Sequence, residues 1–216
     1  MPRGEIVEVA TPVGPARAHV HSPSDSARVV GSLVLGHGAG GGIGAVDLVA
    51  VAGSAVDALW RVVLVEQPWK VAGRKVAGPP PRLDTAWTAV VTQLDAAGRL
   101  PGPLVLGGRS AGARVACRTA GALGAAGVCC LAFPLHPPGR PERSRAEELA
   151  ACGMPALVVQ GRRDAFGTAD DVAGLRLAEV EVVAVDGDHG LKADPAAVAV
   201  AVTDWLGRRV THPRPA

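Results

Sequence analysis

A serine held between glycines opens the chemistry of this chain. Residues 108–112 read Gly-Arg-Ser-Ala-Gly, a G-x-S-x-G string directly after the apolar run PLVLGG and directly before the helix-like ARVACRTAG. Glycine is costly inside either element, so clustered glycines mark a place where only a missing side chain fits. In a strand-to-helix turn they let strand and helix approach closely while the serine takes the strained position. Its hydroxyl then projects near a helix N-terminus, where partial positive charge favours a developing oxyanion. A hydroxyl is a weak nucleophile until a base takes its proton. Downstream, VVQGRRDAFG places Asp164 just past one apolar run and VDGDHGLK places His189 just past the next. In the order Ser110, Asp164, His189, the histidine takes the serine proton and returns it to the leaving group. The aspartate holds the imidazole tautomer. Each has a plainer use alone: a helix cap for Ser110, a loop carboxylate for Asp164, a surface histidine for His189. Their joint placement at three run ends favours the site.

Upstream, LGHGAGGGIG follows another apolar run, with His37, Ala39 and Gly40 inside it. Its backbone N–H groups suit an anion. Residues 36–41 also match G-x-G-x-x-G, with Glu66 ending the next strand, which is the pattern of a dinucleotide site. That alternative leaves Ser110, Asp164 and His189 unused. A phosphate loop would need G-x-x-x-x-G-K-[ST], which does not occur. Arg109, beside the serine, is expected to brace the turn by pairing with a carboxylate such as Glu66. His136, in a proline-rich loop past a strand end, is a candidate pocket residue. Asp186 and Asp188 are alternative partners for His189, and Arg162 and Arg163 are expected to be solvated or ion-paired. No His/Cys/Asp cluster has metal-ligand spacing, and no cofactor is implied.

These loops need a scaffold that brings them to one side. VVGSLVLGHG, RVVLVEQP, PLVLGGRS, GVCCLAFP, PALVVQGRRD and VEVVAVDGDH are near-continuous apolar runs, the pattern of strands buried on both faces of a parallel sheet. Helices are expected over Val46–Trp60, Asp84–Ala97, Ala111–Leu123, Ala169–Leu177 and Pro195–Arg209. EIVEVAT and GPARAHV alternate, as an antiparallel hairpin at a sheet edge does. The repetition predicts a doubly wound α/β fold, mostly parallel with helices on both faces, using 1–216 as one domain. Ligands of such sheets bind at the carboxyl ends of the strands, where every residue above falls. Residues 70–84 are expected to be irregular. The stretch from Pro134 to Ala150, with one short helix at its end, is too short to form a cap domain.

Composition narrows the classes further. Hydrophobic residues are 48% and charged ones 19%, as in folded globular chains, and the net charge is only +2. With 3% aromatic residues and no basic block, nucleic acid is not an expected partner. Arginine prevails and lysine is nearly absent, a base-composition bias that carries no chemistry of its own. No signal peptide or membrane span is apparent, and Cys117, Cys129, Cys130 and Cys152 are expected as reduced core thiols of a cytoplasmic protein. Arg74, Arg82, Arg140 and Arg163 put positive charge near the expected mouth, which a solvated rim explains better than an acidic substrate does.

HGAGGG, GGRSAG, QGRRDAFG and GDHGLK together resemble the α/β-hydrolases, in the small lidless branch near dienelactone hydrolases. The resemblance covers the chain after the opening hairpin. It implies Ser110 as nucleophile, Asp164 as acid and His189 as base. Oxyanion donors are implied at the backbone N–H of Ala111 and of Ala39 or Gly40. Dienelactone hydrolases proper use a cysteine where this chain has serine, so their substrate does not carry over. The implied activity is hydrolysis of small esters or thioesters through an acyl-enzyme. Acyl transfer on the same residues, or a non-catalytic scaffold on the same fold, are the alternatives.

Overall fold

A computed structural model describes residues 4–208, so the predicted helix end at Arg209 lies outside the described residues. The alternating segments form β1 (Glu5–Val9) and β2 (Ala16–His21), paired antiparallel, with β1 at the sheet edge. The apolar runs form β3 (Gly31–Gly36), β4 (Trp60–Glu66), β5 (Leu104–Arg109), β6 (Gly127–Leu131), β7 (Ala156–Gly161) and β8 (Val180–Val185). The eight strands make one sheet in the order β1-β2-β4-β3-β5-β6-β7-β8. From β4 to β8 every pairing is parallel, while β2 joins β4 antiparallel.

Successive residues of a strand face opposite sides, so continuous apolar runs build two cores. Leu33, Leu35, Val105 and Val159 pack with α1 (Val46–Asp57) and α7 (Pro195–Gly207) on one face. Val34, Leu106 and Val158 pack on the other with α3 (Pro80–Ala96), α4 (Ala111–Thr119), α5 (Ala146–Ala150) and α6 (Ala169–Ala173). A short α2 (Pro68–Val71) follows β4. The four cysteines are free and buried. Burial in this core pushes the Cys129 thiol up to about 12.

Several boundaries differ from the sequence expectation, each for a local reason. The first helix stops at Asp57 because Leu59 turns to φ 67° and Trp60 opens β4 beside Gly31. The third begins at Pro80, inside the stretch expected to be irregular. Proline lacks only an N–H that the first helical turn leaves unpaired. The helix after Ser110 ends at Thr119 and α6 at Ala173, each before its predicted limit. Pro134 to Ala150 holds loop and the one-turn α5, with no cap domain above the sheet.

Candidate active site

The turn from β5 into α4 is built by backbone contact between glycines. A Cβ on either Gly108 or Gly112 would collide with the carbonyl oxygen of Gly36 on β3. Only bare backbone lets β3, β5 and α4 come so close. Ser110, between them, is held at φ 53°, ψ −109°, outside the regions open to ordinary residues. Such a conformation costs on the order of 1–3 kcal/mol and persists only where its surroundings over-determine it. Ser110 N–H donates to Leu131 O at 2.9 Å, tying the turn to β6. The Ser110 side chain does not cap α4.

Its hydroxyl meets His189 instead. Ser110 Oγ lies 2.8 Å from Nε2, and Nδ1 of the same ring lies 2.8 Å from Asp164 Oδ2. Asp164 is buried in the loop after β7, where Oδ1 accepts from Phe166 N–H at 2.8 Å and Oδ2 also from Gln160 Nε2 at 3.0 Å. With a carboxylate on Nδ1, the ring donates there and presents Nε2 as an acceptor to the hydroxyl. Phe166 covers the imidazole, ring centroids 4.2 Å apart. Asp186 and Asp188 are turned to other uses: Asp186 faces Arg162, and Asp188 Oδ1 accepts from Gly190 N–H.

The expected Arg109–Glu66 pair is not formed. Glu66 instead accepts from His19 Nε2 at 3.1 Å, across the antiparallel β2–β4 pairing. Arg109 Nε lies 2.9 Å from Asp47 Oδ2, in the first turn of α1, and Arg109 Nη2 donates to His189 O at 2.6 Å. The guanidinium thus bridges α1, the β5 end and the His189 loop. Burial pushes the Asp47 pKa up, against the opposing pull of Arg109. Asp47, Phe166 and Gln160 escaped the sequence reading. An acid in a helix's first turn reads as an ordinary dipole partner, and a glutamine inside an apolar strand reads as packing.

His37 is buried away from the hydroxyl. Its Nδ1 donates to Gly38 O at 3.0 Å, and Nε2 accepts from Gln67 N–H at 3.3 Å, pinning the loop after β3 to the loop after β4. Burial pushes its pKa down, which keeps it neutral for that task. His136 Nδ1 meets Pro137 O and its backbone N–H donates to Phe166 O; it is not among the residues that line the cleft at Ser110. That cleft, about 770 Å³ and open to solvent, is lined by Ser110, His189, Phe166, Arg109 and the backbone of Ala39 and Gly40. Among the described residues, the N–H groups of Ala39, Gly40 and Ala111 donate to no protein acceptor. No group of three or more His, Cys, Asp or Glu side chains among the described residues could hold a metal ion, and no described helix is long and apolar enough to cross a membrane.

The fold has counterparts among known proteins. A family model described as an alpha/beta hydrolase domain matches residues 30–199. An alpha-beta serine hydrolase homologue from Coxiella burnetii superposes with a TM-score of 0.74 at 17% identity, covering 96% of this chain and 98% of that one. Est1E from Butyrivibrio proteoclasticus gives 0.78 at 13%, covering 97% and 100%. A lidless α/β serine hydrolase from Xanthomonas campestris gives 0.69 at 22%, covering 95% and 96%. At these identities the structural likeness speaks for the fold. Comparison with curated protein sequences gives no match.

Proposed function

Because the chain belongs to the α/β-hydrolase domain family, we propose that it is a serine hydrolase that cleaves small carboxylic esters or thioesters through an acyl-enzyme. The observation that carries this reading is the unbroken chain Asp164–His189–Ser110, with 2.8 Å at each joint, ending on a serine held in a strained conformation. A scaffold protein would have no use for that strain.

In this reading Ser110 Oγ attacks the carbonyl carbon as its proton passes to His189 Nε2. The imidazolium that forms is stabilised by Asp164, which itself keeps its charge. The oxyanion is met by the N–H of Ala111, first in α4, and by that of Ala39 or Gly40, groups that lack a protein partner among the described residues. The C–O or C–S bond then breaks, and His189 returns the proton to the leaving alcohol or thiol. Water repeats the sequence in reverse order and frees the acid. No metal or cofactor enters any step. The same reading treats the whole chain as one hydrolase domain with a small-molecule substrate.

A fluorophosphonate probe tests this directly. Wild-type protein should be labelled at Ser110 and turn over short esters, and Ser110→Ala should do neither. Full turnover by the alanine variant would place the nucleophile elsewhere and end the reading. Accumulation of a transferred acyl product when a competing amine or alcohol is added would show acyl transfer to acceptors other than water.

A further inference from the structure

All three lysines of the chain stand round the clefts at Ser110. The sequence has nineteen arginines but only Lys70, Lys75 and Lys192. Lys192 lines the cleft of Ser110 and His189. Lys70 and Lys75 line a neighbouring cleft of about 350 Å³ with Trp69 and Arg74, and the two clefts share Ala39 and Gly40. Lys70 joins them. Its Nζ lies 6.0 Å from the Trp69 ring centroid, and a Cβ on Gly42, in the wall of the Ser110 cleft, would stand 3.2 Å from its Cε. Opposite, the Lys192 stem runs past Gly190, where a Cβ would meet Cγ at 3.5 Å. Among the described arginines only Arg74 and Arg109 line either cleft.

Arg17, Arg99, Arg109, Arg114, Arg118 and Arg208 each hold a carboxylate. Among the described residues no carboxylate pairs with Lys70, Lys75 or Lys192. Of the acids in sequence or space near them, Asp47 is paired with Arg109, while Asp188 and Asp194 each accept one backbone N–H, from Gly190 and Ala197, and keep their charge. A nearly neutral chain therefore gathers its lysines, none of them in a described ion pair, along two adjoining clefts. Like charges gathered there repel, and the field they make draws anions into the cleft.

We propose that the site takes substrates bearing an anionic group, a carboxylate or phosphate, near the ester or thioester carbonyl, and that Lys70, Lys75 and Lys192 select it. The proposal rests on the hydrolase reading above. Arg109 is fixed by Asp47 and His189 O and cannot follow a ligand. An ammonium on a flexible four-carbon stem can. The anion sits on the acyl part or on the leaving group; either presents the same charge to the lysines.

Two matched ester pairs decide between these and test the whole. 4-Nitrophenyl hydrogen succinate is compared with 4-nitrophenyl butyrate, and 4-acetoxybenzoate with its methyl ester. The readout is the anionic-to-neutral ratio of kcat/KM, so a variant that is merely less active loses on both members together. At a separation of about 7 Å in a water-like dielectric each lysine is worth roughly threefold. The expected result is a ratio on the order of ten- to thirtyfold above the triple Lys→Gln variant in at least one pair, shrinking as salt shortens the Debye length. The triple Lys→Arg variant should retain most of it. If the triple glutamine variant folds poorly, each single Lys→Gln should lose roughly threefold in the ratio. A ratio that the glutamine variants keep in both pairs overturns the proposal. Calorimetric binding of 4-acetoxybenzoate to Ser110→Ala, with and without the three glutamines, decides it without turnover. Binding that the glutamines abolish supports the lysines even if no ester is cleaved, in which case the hydrolase reading alone has failed. Equal binding, or none in either protein, overturns the selection.

Discussion

The Asp47–Arg109 pair allows site geometry and fold stability to be pulled apart by one substitution, Asp47→Asn. The Asp47 side chain has no exposed surface and that of Arg109 only 15%, with 2.9 Å between Oδ2 and Nε. At that separation unit charges attract by about 6 kcal/mol at an effective dielectric of ~20. Desolvation takes much of this back, and burial indeed holds the Asp47 pKa above 3.8 despite the guanidinium. A pKa raised on folding means that the folded protein favours the neutral acid, and Arg109 borders an open cleft where water can reach it, so the neutral amide should cost little stability at neutral pH. At roughly 2–4 °C per kcal/mol for a chain of this size, Tm should stay within a few degrees of wild type. The larger effect should fall on turnover. Arg109 Nη2 holds the His189 carbonyl at 2.6 Å, and a guanidinium freed from Asp47 no longer fixes it. A displacement approaching an ångström costs on the order of 10²-fold, so kcat should drop ten- to a hundredfold with KM little changed.

The pH dependence carries a sign that a purely structural role would not produce. A folded-state pKa raised above 3.8 means the folded protein binds this proton more readily than the unfolded one. The contribution of Asp47 to stability is thus full below about pH 3.8 and lost as pH rises through the folded value. Turnover should move the opposite way, falling on acidification through that value as the ion pair is neutralised. Thermal midpoints and kcat for a short ester, measured from pH 4 to 8 on wild type, Asp47→Asn, Arg109→Gln and the double variant, give both slopes and the coupling. Wild-type kcat in Asp47→Asn would refute the link between the pair and His189. So would single-variant losses in kcat that simply add in the double variant, since residues acting through one contact do not add.

Ser110→Gly should raise Tm above both wild type and Ser110→Ala, because glycine adopts φ 53°, ψ −109° without strain; about 1 kcal/mol is expected after glycine's own entropy, and a glycine variant no more stable than alanine would deny the strain. Gly112→Ala should cost at least about 2–3 kcal/mol in urea denaturation, since its Cβ meets the Gly36 carbonyl rather than a side chain that can swing away; a change under half that would mean the strand and helix can part. Among 4-nitrophenyl esters, kcat/KM should fall beyond a few acyl carbons. No cap covers the open cleft, so acyl carbons beyond its rim bury no further apolar area at about 25 cal/mol per Å². A steady rise toward palmitate would show an apolar tunnel.

How far the sequence could be read depends on whether a signal is local or crosses the fold. The strands were legible because burial on both faces leaves uninterrupted apolar runs, and the ends of those runs located Ser110, Asp164 and His189 without any knowledge of strand order. The start of α3 was not, because Pro79, Pro80 and Pro81 read as a break although a first helical turn accepts them. Glu66 was the natural partner for Arg109 only if β4's outer neighbour was ignored. The hairpin was visible, but not that β2 would lie antiparallel along β4 and bring His19 to that carboxylate. Asp47 is 62 positions from Arg109, on a helix whose packing against the end of β5 no periodicity announces.

The same distinction explains why the fold is easier to read than the substrate. His189 is held from both sides by groups unrelated in sequence: its ring by Asp164, which Gln160 and the Phe166 N–H fix in turn, and its backbone carbonyl by Arg109. The serine is held by the approach of Gly36, Gly108 and Gly112, which tolerates no side chain. Both devices lie at the carboxyl ends of β3, β5, β7 and β8 and the turns that follow them, so the segment from 68 to 79 and the loop from Gly190 to Asp194 contribute none of these contacts. Lys70, Lys75 and Lys192 lie there, and their only signature in sequence is a residue type that the rest of the chain lacks.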